Sequence, residues 1–386
     1  MQSVYIVAAR RTPIGRLMGA LSQVSAPALG STALKAALSD TGLSPESINE
    51  LYFGNVISAN LGQAPATQVA LGAGLPNTTP CTLVNKVCAS GTKAIMLAAQ
   101  SIMLGQNEIV AAGGMENMSL APHYVLNYRS GFKYGNTELV DALVRDGLQD
   151  VYSRKMMGDA GELCAAEYNI TREMQDEYAV RSYNTALEAM KSGKLAQEIA
   201  PVSVSVGRDT VTVNEDEEPG AVKFDKIPGL RPAFKPEGGT ITAANASKIN
   251  DGAAAVILAS EAAVKAHNLK PLARIAGFAD AARAPEWFTI APADAIPIAA
   301  KRAGIQVADI DLFEINEAFS VVAIVNQQLL DVAPEKVNTR GGAVAFGHPI
   351  GMSGTRLAIS LAHSLHEQGK KYGAVGICNG GGGASA

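Results

Sequence analysis

The chain carries an internal duplication, and this repeat constrains its fold more than any other feature of the sequence. The segments Gly42–Phe53 and Gly304–Ile315 both read as a glycine that ends a helix, then a turn, then an apolar strand. Farther on, the motifs beginning Ser90-Gly-Thr and Ser353-Gly-Thr open two helical runs at an offset of 263 residues (353 − 90). Two copies of one structural unit account for this pattern. The alternative explanation of the similarity is the alternation of strands and helices that all α/β proteins share.

Strands that alternate with helices predict an α/β protein whose mainly parallel sheets are covered by helices on both faces. Between the two halves lies a segment, residues 118–250, whose sequence pattern differs from theirs, and we interpret it as an inserted lid. It contains a polar helix (Thr171–Lys191), a β-rich piece (Val202–Val213) and an acidic turn (Asn214–Glu218). We expect the acidic turn to be a solvated loop.

The composition excludes several classes of function. The 386 residues are 47% hydrophobic and 18% charged, with a net charge of −4, which allows a large core and gives no basic surface for nucleic acid. No apolar run reaches the roughly 18 residues of a membrane span, and we expect no secretory signal, because the N-terminal residues resemble a strand. The glycine-rich loops of nicotinamide or ATP sites are absent as well. Four cysteines without disulfide or zinc spacing predict a cytoplasmic protein with no metal site.

Cys88 is the first candidate for chemistry. It follows the apolar run Thr82–Val87 and precedes a predicted helix, so its side chain should lie at a helix N-terminus. The helix dipole and the unpaired N–H groups at that position favour a thiolate and can bind an oxyanion. The alternative is a buried cysteine that only packs before a helix.

Three further residues fall at or just past predicted strand ends, where open α/β sheets bind their ligands. His348 lies in a Gly-His-Pro turn, which suits a base. Asn316 ends the duplicated strand, and Cys378 ends the last strand before four glycines that begin at Gly380. Taken singly, they could be an exposed histidine, a helix cap and the start of a flexible tail. Their convergence with Cys88 favours one shared site.

At these residues the sequence resembles the thiolase family over nearly its whole length, and most closely its tetrameric acetoacetyl-CoA thiolases. The motifs that carry the resemblance are long and occur in the family's order. They are Ala8–Gly15, Asn85–Gly91, Gly113–Ser119, Asn245–Ala255, Asn316–Phe319, Gly347–Gly351 and Cys378–Ala384.

The resemblance implies the thiolase fold, which is a duplicated five-layer α/β/α/β/α core with an inserted loop domain. Residues 1–117 with 251–268 would form the N-terminal half, and residues 269–386 the C-terminal half. The loop domain, residues 118–250, would bind coenzyme A. It would also supply a contact of a homotetramer near Ala121–Gly135.

The resemblance also implies a covalent mechanism, in which His348 activates Cys88 to carry the acyl group. Cys378 would move the α-proton. His348 and a water held by Asn316 would stabilise the enolate-like oxygen, and the N–H groups of Cys88 and Gly380 would form a second oxyanion hole.

A tunnel for the coenzyme A thioester follows from the same resemblance. Its lining would consist of Met157, Lys223, Leu230, Phe234, Ala243, Ala246, Ser247, Ala318 and Phe319. Simple core packing is the alternative for the alanines.

The activity implied is acetyl-CoA C-acetyltransferase, which condenses two acetyl-CoA to acetoacetyl-CoA and coenzyme A or runs in reverse. Met156 stands where such enzymes usually have histidine. It supports the nearest alternative, a 3-ketoacyl-CoA thiolase of β-oxidation that accepts longer chains. A non-catalytic acyl-CoA-binding protein is the alternative from another class. We expect no cofactor, and potassium remains a possible but unsupported activator, because the turn at Pro219 departs from the pattern of potassium-activated members.

The other cysteines and two late histidines belong to no motif. We expect Cys81 and Cys164 to pack in the interior, and His363 and His366 to lie on the surface of a late helix.

Overall fold

The computed structural model describes residues 2–386. Within these residues the chain forms fifteen strands, most of them short. They are β1 (Val4–Arg11), β2 (Gly15–Arg16), β3 (Glu50–Gly54), β4 (Cys81–Val84), β5 (Ile109–Asn117), β6 (His123–Val125), β7 (Leu139–Asp141), β8 (Val202–Val206), β9 (Asp209–Val213), β10 (Asn250–Ser260), β11 (Ala273–Ile275), β12 (Asp280–Ala282), β13 (Leu312–Ile315), β14 (Gly373–Asn379) and β15 (Gly383–Ser385).

Ten α-helices lie between these strands in the same range of residues. They are α1 (Ala26–Thr41), α2 (Pro65–Gly72), α3 (Ser90–Met103), α4 (Met157–Glu167), α5 (Arg172–Lys191), α6 (Glu261–Ala266), α7 (Pro292–Arg302), α8 (Ser320–Leu330), α9 (Ala343–Phe346) and α10 (Ser353–Gln368). Over residues 2–386, no helix combines the length and apolar character needed to cross a membrane.

The first sheet has the strand order β11-β1-β10-β5-β3-β4, and β2 also pairs with β10. β3 runs parallel to β4 and β5, whereas β10 is antiparallel to β1 and β5. The expectation of mainly parallel sheets is therefore wrong. β10 enters the sheet from the inserted segment and not through a helical crossover, so no crossover imposes a parallel direction on it.

The second sheet has the order β12-β15-β14-β13. β13 and β14 are parallel, but a short glycine turn joins β14 to β15 and makes that pair antiparallel. α1 and α2 cover the outer face of the first sheet, and α7 packs against the second, with α8 beside α7. α3 and α10 pack against each other between the sheets. The five layers α/β/α/β/α are confirmed.

The duplication is confirmed element by element. β3 and β5 are parallel neighbours in the first sheet, as β13 and β14 are in the second. α3 and α10 begin at the equivalent serines Ser90 and Ser353. The proposed division into two halves and a loop domain stays a prediction. β11, which that division assigns to the C-terminal half, pairs with β1 of the first sheet.

The acidic turn is not the solvated loop that the sequence predicted. Asp216 and Glu218 are buried, and the Asp216 carboxylate accepts hydrogen bonds of 2.7 and 2.9 Å from the guanidinium of Arg11. Glu198 lies 3.1 Å from the same guanidinium. A buried arginine cannot lose its charge and must be paired. This requirement outweighs the preference of the acidic residues for water and ties the turn to β1.

The predictions for the secondary structure of the insertion, for Cys81 and Cys164 and for the late histidines are confirmed, except the one for His363. The polar helix and the β-rich piece of the insertion form α5 and the β8–β9 hairpin. Cys164 is buried, Cys81 is partly buried and His366 is exposed, as expected. His363, expected on the surface, is half-buried, and burial lowers its pKa. It lies on α10, which is covered on both sides because it lies between the two sheets.

We predict that Asp216→Ala lowers the free energy of unfolding by about 3–5 kcal/mol, because it leaves the buried Arg11 charge without one of its carboxylates. Asp40→Ala is the matched control. It removes the carboxylate that pairs with Arg10, and these side chains are 38% and 25% exposed, so its loss should stay below about 1 kcal/mol. Thermal and urea unfolding followed by circular dichroism measure both losses. Equal losses in the two variants would contradict this role of the buried pair.

Candidate active site

Two Ser-Gly-Thr motifs face each other in the middle layer. A Cβ on Gly91 would lie 2.5 Å from the Thr355 hydroxyl, and a Cβ on Gly354 would lie 2.4 Å from the Thr92 hydroxyl. Glycine at both positions therefore allows α3 and α10 to approach closely at their N-termini. The turns that precede the two helices, each with one candidate catalytic residue, are brought together by this contact.

The turn that holds Cys88 is strained and fastened on both sides. Val87 has a φ of +48°, a left-handed conformation that is rare for a β-branched residue. Its N–H donates to the Asn85 side chain at 3.0 Å, and its carbonyl accepts from the Ser90 hydroxyl at 2.6 Å. Cys88 lies just before the start of α3, as predicted. Strain of this kind persists only where the surroundings enforce it, and it is common at active sites.

The N–H groups of Gly380 and of Cys88 itself lie near the Cys88 sulfur and act to lower its pKa. Burial has the larger, opposite effect and raises the pKa of the thiol to about 12. The expectation that the helix start favours a thiolate is therefore wrong, because desolvation outweighs the backbone donors. Cys88 is a neutral thiol that needs a base to become a nucleophile.

Hydrogen bonds hold His348 in the tautomer that a general base requires. Its Nδ1 lies 2.6 Å from the Ser353 hydroxyl, which donates its own proton to the Pro349 carbonyl at 2.9 Å. Nδ1 must therefore carry the proton shared with Ser353, and Nε2 keeps its lone pair. Burial, with a smaller effect of the Arg356 charge, lowers the pKa of His348 to about 3. The imidazole is neutral and can accept a proton at Nε2.

Asn316 faces the same ring nitrogen, with its Nδ2 3.4 Å from His348 Nε2. It follows β13, and its backbone N–H donates to the Gly376 carbonyl at 2.9 Å. The buried side-chain oxygen of Asn316 has no hydrogen-bond partner among residues 2–386. A buried oxygen without a donor costs about 1–3 kcal/mol. This atom therefore marks a place for an ordered water or a polar group of a substrate.

Cys378 lies beside Cys88 at the end of β14. It is completely buried, and burial together with the nearby Cys88 raises the pKa of its thiol well above the ordinary value. Gly380 follows β14 and comes close to the Cys88 turn and to α4. A Cβ on Gly380 would lie 3.6 Å from Val87 Cγ1 and 3.7 Å from Met157 Sδ. The Gly380 turn therefore lies between the Cys88 turn and the apolar cluster that contains Met157 and Cys378.

Two polar residues that the sequence did not single out hold the His348 turn. The Asn250 side-chain oxygen accepts the His348 N–H at 3.1 Å. Glu116 accepts the Gly351 N–H at 3.0 Å, and it also accepts two N–H groups from the segment after β3. Burial raises the pKa of Glu116 to about 7. A carboxylate or amide within an otherwise apolar strand is the signal that could have identified them.

Glu317 is a third residue of this kind. Its buried carboxylate accepts hydrogen bonds from Tyr178 at 2.9 Å, Ser182 at 2.8 Å, Asn338 at 2.7 Å and the Val344 N–H at 2.9 Å. Four donors are the kind of pairing that a buried charge requires. Because the first two come from α5 and the last from α9, Glu317 joins the insertion to the helix that precedes the His348 turn.

Five of the nine predicted tunnel residues meet in one apolar cluster that also contains Cys378. They are Met157, Phe234, Ala246, Ala318 and Phe319. The rings of Phe234 and Phe319 are nearly perpendicular, with centroids 6.0 Å apart. Ser247 borders the cluster, since its N–H donates to the Ala318 carbonyl at 3.0 Å.

The other three predicted tunnel residues lie farther out in the loop domain. The Leu230 carbonyl accepts from Arg172 at 3.1 Å, and its side chain is partly buried. Ala243 and Lys223 are exposed.

The arrangement suits acyl transfer. One thiol can carry an acyl group while the other moves a proton, and a neutral imidazole can accept the first thiol's proton. The N–H groups of Cys88 and Gly380 can bind the oxygen of a carbonyl attached to Cys88. Within residues 2–386 no group of three or more His, Cys, Asp or Glu side chains is placed to hold a metal ion.

Comparison with known proteins identifies a family along almost the entire chain. The family model described as "Thiolase, N-terminal domain" matches residues 4–262, and "Thiolase, C-terminal domain" matches residues 269–386.

Curated relatives match over most of their length. The chain is 54% identical to "Acetyl-CoA acetyltransferase ERG10, cytosolic" of Gibberella zeae, over 99% of this chain and 97% of the relative. It is 52% identical to "Acetyl-CoA acetyltransferase, mitochondrial" of Bos taurus, over 100% and 91%. Among solved structures, Acat5 thiolase from Ascaris suum in complex with coenzyme A has a TM-score of 0.94 at 44% identity, covering 100% of this chain and 98% of the other.

The His348 turn depends on a glycine, and this generates a prediction. Gly347 has a φ of +100°, and a Cβ there would lie 2.0 Å from the Asn250 side-chain oxygen that holds the His348 N–H. We expect Gly347→Ala to lower the free energy of unfolding by about 3 kcal/mol or more. Gly369→Ala, at a φ of +61° with nothing within 4 Å of the new Cβ, should cost only about 1 kcal/mol. Thermal unfolding compares the variants, and a loss at Gly347 no larger than that at Gly369 would contradict the prediction.

Proposed function

The chain belongs to the thiolase family, and we propose that it catalyses the acetyl-CoA acetyltransferase reaction with Cys88 as the acyl carrier. It is an acyltransferase that condenses two acetyl-CoA to acetoacetyl-CoA and coenzyme A, or cleaves acetoacetyl-CoA in reverse. One observation carries the residue roles. Gly380, two residues after Cys378, packs beside Val87, the residue before Cys88, so the two thiols belong to adjoining turns.

In the first half-reaction His348 Nε2 accepts the Cys88 proton while the sulfur attacks the carbonyl of acetyl-CoA. The bond from that carbonyl to the coenzyme A sulfur breaks, and the leaving sulfur takes the proton of Cys378. An acetyl group on Cys88, a thiolate at Cys378 and an imidazolium at His348 remain. Burial disfavours any isolated charge at these groups. The two opposite charges therefore form together and are coupled to the attack.

In the second half-reaction the Cys378 thiolate takes an α-proton from a second acetyl-CoA. The raised pKa of Cys378 makes its thiolate a strong base. The His348 imidazolium and a water held by Asn316 bind the enolate oxygen that forms. The α-carbon then attacks the acetyl group, the N–H groups of Cys88 and Gly380 hold the oxyanion, and acetoacetyl-CoA leaves. His348 returns its proton to the Cys88 sulfur, which restores the starting state.

The thioester reaches the thiols through the loop domain. Support comes from the apolar cluster of Phe234, Ala246 and Phe319, which adjoins Cys378 and fits the uncharged arm of coenzyme A. The exposed Lys223 lies in the same domain, where it offers a positive charge to the phosphates. The Ascaris suum neighbour was solved with coenzyme A.

The catalytic cycle above needs no organic cofactor, because the two thiols and the imidazole account for every proton and bond. We also propose the cytoplasm as the compartment. The four cysteines are all unbridged, which suits a reducing environment. The Gibberella zeae relative is named cytosolic, whereas the Bos taurus relative is named mitochondrial.

We propose a homotetramer in which the segment from β6 to β7 makes a contact between subunits. This segment has an unusually apolar exposed surface for a strand pair and its connection. Its exposed large hydrophobic residues are Val125, Leu126, Tyr128, Phe132, Tyr134 and Leu139.

Covalent labelling tests the acyl carrier. Incubation with radioactive acetyl-CoA should label the wild-type protein and the control Cys81→Ala, while Cys88→Ala should take up no label. Cys378→Ala should still accept label, though more slowly because the leaving thiol loses its proton donor, and its condensation rate should fall by about 10²–10⁴-fold because the acceptor of the α-proton is lost. Mass spectrometry locates the acetyl group. Retained covalent label in Cys88→Ala would overturn the assignment.

The acyl-chain preference separates this function from the β-oxidation alternative. Val87 and Cys88 pack against an apolar cluster that includes Val56, Met118 and Ile350, and we infer that this cluster restricts the acyl group at the sulfur. We expect kcat/KM for thiolysis of acetoacetyl-CoA to exceed that of 3-ketohexadecanoyl-CoA by about tenfold or more. A preference for the long chain would support a β-oxidation thiolase. Tight coenzyme A binding without any turnover would support a non-catalytic acyl-CoA-binding protein.

A further inference from the structure

Lys248 is a lysine that none of the steps above uses. Its ammonium donates to the Val344 carbonyl at 2.7 Å, to the Ala246 carbonyl at 3.2 Å and to the Tyr183 hydroxyl. None of these three partners is a carboxylate. A lysine inside a protein usually pairs with an acidic side chain, so a set of neutral oxygens around its ammonium calls for an explanation.

The three oxygens come from three separate segments of the chain. Tyr183 belongs to α5 of the insertion, and Val344 belongs to α9, just before the His348 turn. Ala246 lies in the loop that bridges to Phe319 and forms part of the apolar cluster of the tunnel. The ammonium therefore joins α5, the loop at Ala246 and the segment just before the His348 turn at one point.

Around the catalytic turn, Lys248 contacts the chain at two points, one in the helix before the turn and one at His348 within it. Its side chain binds the Val344 carbonyl, and its own backbone carbonyl accepts the His348 N–H at 3.2 Å. Val344 is held from the other side as well, because its N–H donates to the Glu317 carboxylate at 2.9 Å. A buried anion and a cation thus hold the N–H and the carbonyl of one residue.

The surroundings are those of a site for a monovalent cation. Burial lowers the pKa of Lys248 to about 8, while the charges of Glu218 and Glu317 favour its cationic form. The ammonium also lies 4.8 Å from the centre of the Tyr183 ring. Carbonyl oxygens arranged in this way can replace the hydration shell of a potassium ion, and ammonium is of similar size.

We propose that Lys248 serves as a cation built into the chain, which positions His348 by joining α5, the loop at Ala246 and the segment that leads into the His348 turn. Lys248 is a positioning residue, since it acts through Val344 and His348 and contacts no reacting atom. The proposal rests on the proposed function only in that thiolysis of acetoacetyl-CoA is its readout. The space and oxygens left after truncation of Lys248 should then accept a free monovalent cation.

Two substitutions and three salts test this. Lys248→Ala opens the site, whereas Lys248→Met removes the charge but fills the space. In choline chloride we expect both to lower kcat by about 10–100-fold. Potassium chloride or ammonium chloride at equal ionic strength should restore kcat at least several-fold in Lys248→Ala and not in Lys248→Met. The wild type should respond equally to all three salts.

Lys265→Ala is the matched control, because Lys265 is exposed on α6 and pairs only with Glu261. It should behave like the wild type in every salt. If Lys248→Ala does not fold by circular dichroism, Tyr183→Phe provides the second variant. It removes one oxygen and keeps the ammonium, so kcat should fall several-fold with little change in KM, and an unchanged kcat would overturn the proposal.

Two further results would also overturn it. One is that Lys248→Ala, assayed in choline chloride, has the same kcat as the wild-type protein. The other is a folded Lys248→Ala whose lowered kcat is the same in all salts. An inactive wild type would instead contradict the proposed function, so the two failures can be told apart.

Discussion

The reciprocal contact between the two Ser-Gly-Thr motifs is the constraint on which the site depends. Gly91 packs against Thr355, and Gly354 packs against Thr92, so the two halves of the duplication touch through the same residues. The Cys88 turn and the His348 turn are each continuous with one of these helix starts. Any side chain at either glycine would separate the helices and with them the two turns. The catalytic geometry is therefore a consequence of how the duplicated halves pack, and not of either half alone.

Burial governs the electrostatics of the whole centre. It raises the pKa of Cys88 to about 12 and lowers that of His348 to about 3, so both groups are neutral before substrate is attacked. The same low polarity obliges every buried charge to find partners. Glu116 collects backbone N–H groups around the His348 turn, and Glu317 collects donors from three segments. These carboxylates hold the catalytic turns in place while the titrating groups stay uncharged and ready to exchange protons.

The inserted segment is integrated with the core. Its long helix α5 reaches Glu317 through Tyr178 and Ser182, and its tunnel loop pairs with the strand-like stretch that ends at Phe319. The loop also carries Lys248, whose ammonium joins it to the residues before His348. These contacts join the parts that would bind coenzyme A to the parts that would transfer the acyl group.

The sequence by itself determined the duplicated α/β plan and the order of its elements, because strand and helix periodicity, glycines and helix-start residues act locally. It also placed Asn316 and Cys378 at strand ends and Cys88 just before a helix, whereas His348, expected past a strand end, follows the short helix α9. Only the tertiary structure decided properties that depend on distant partners. Asp216 is buried because Arg11, 205 residues earlier in the chain, needs its carboxylate. Cys88 is a neutral thiol because desolvation depends on what surrounds it after folding, and β10 is antiparallel because it returns from the insertion. Local patterns carry no record of which remote groups will share a space free of water, so these outcomes follow from packing and not from any motif.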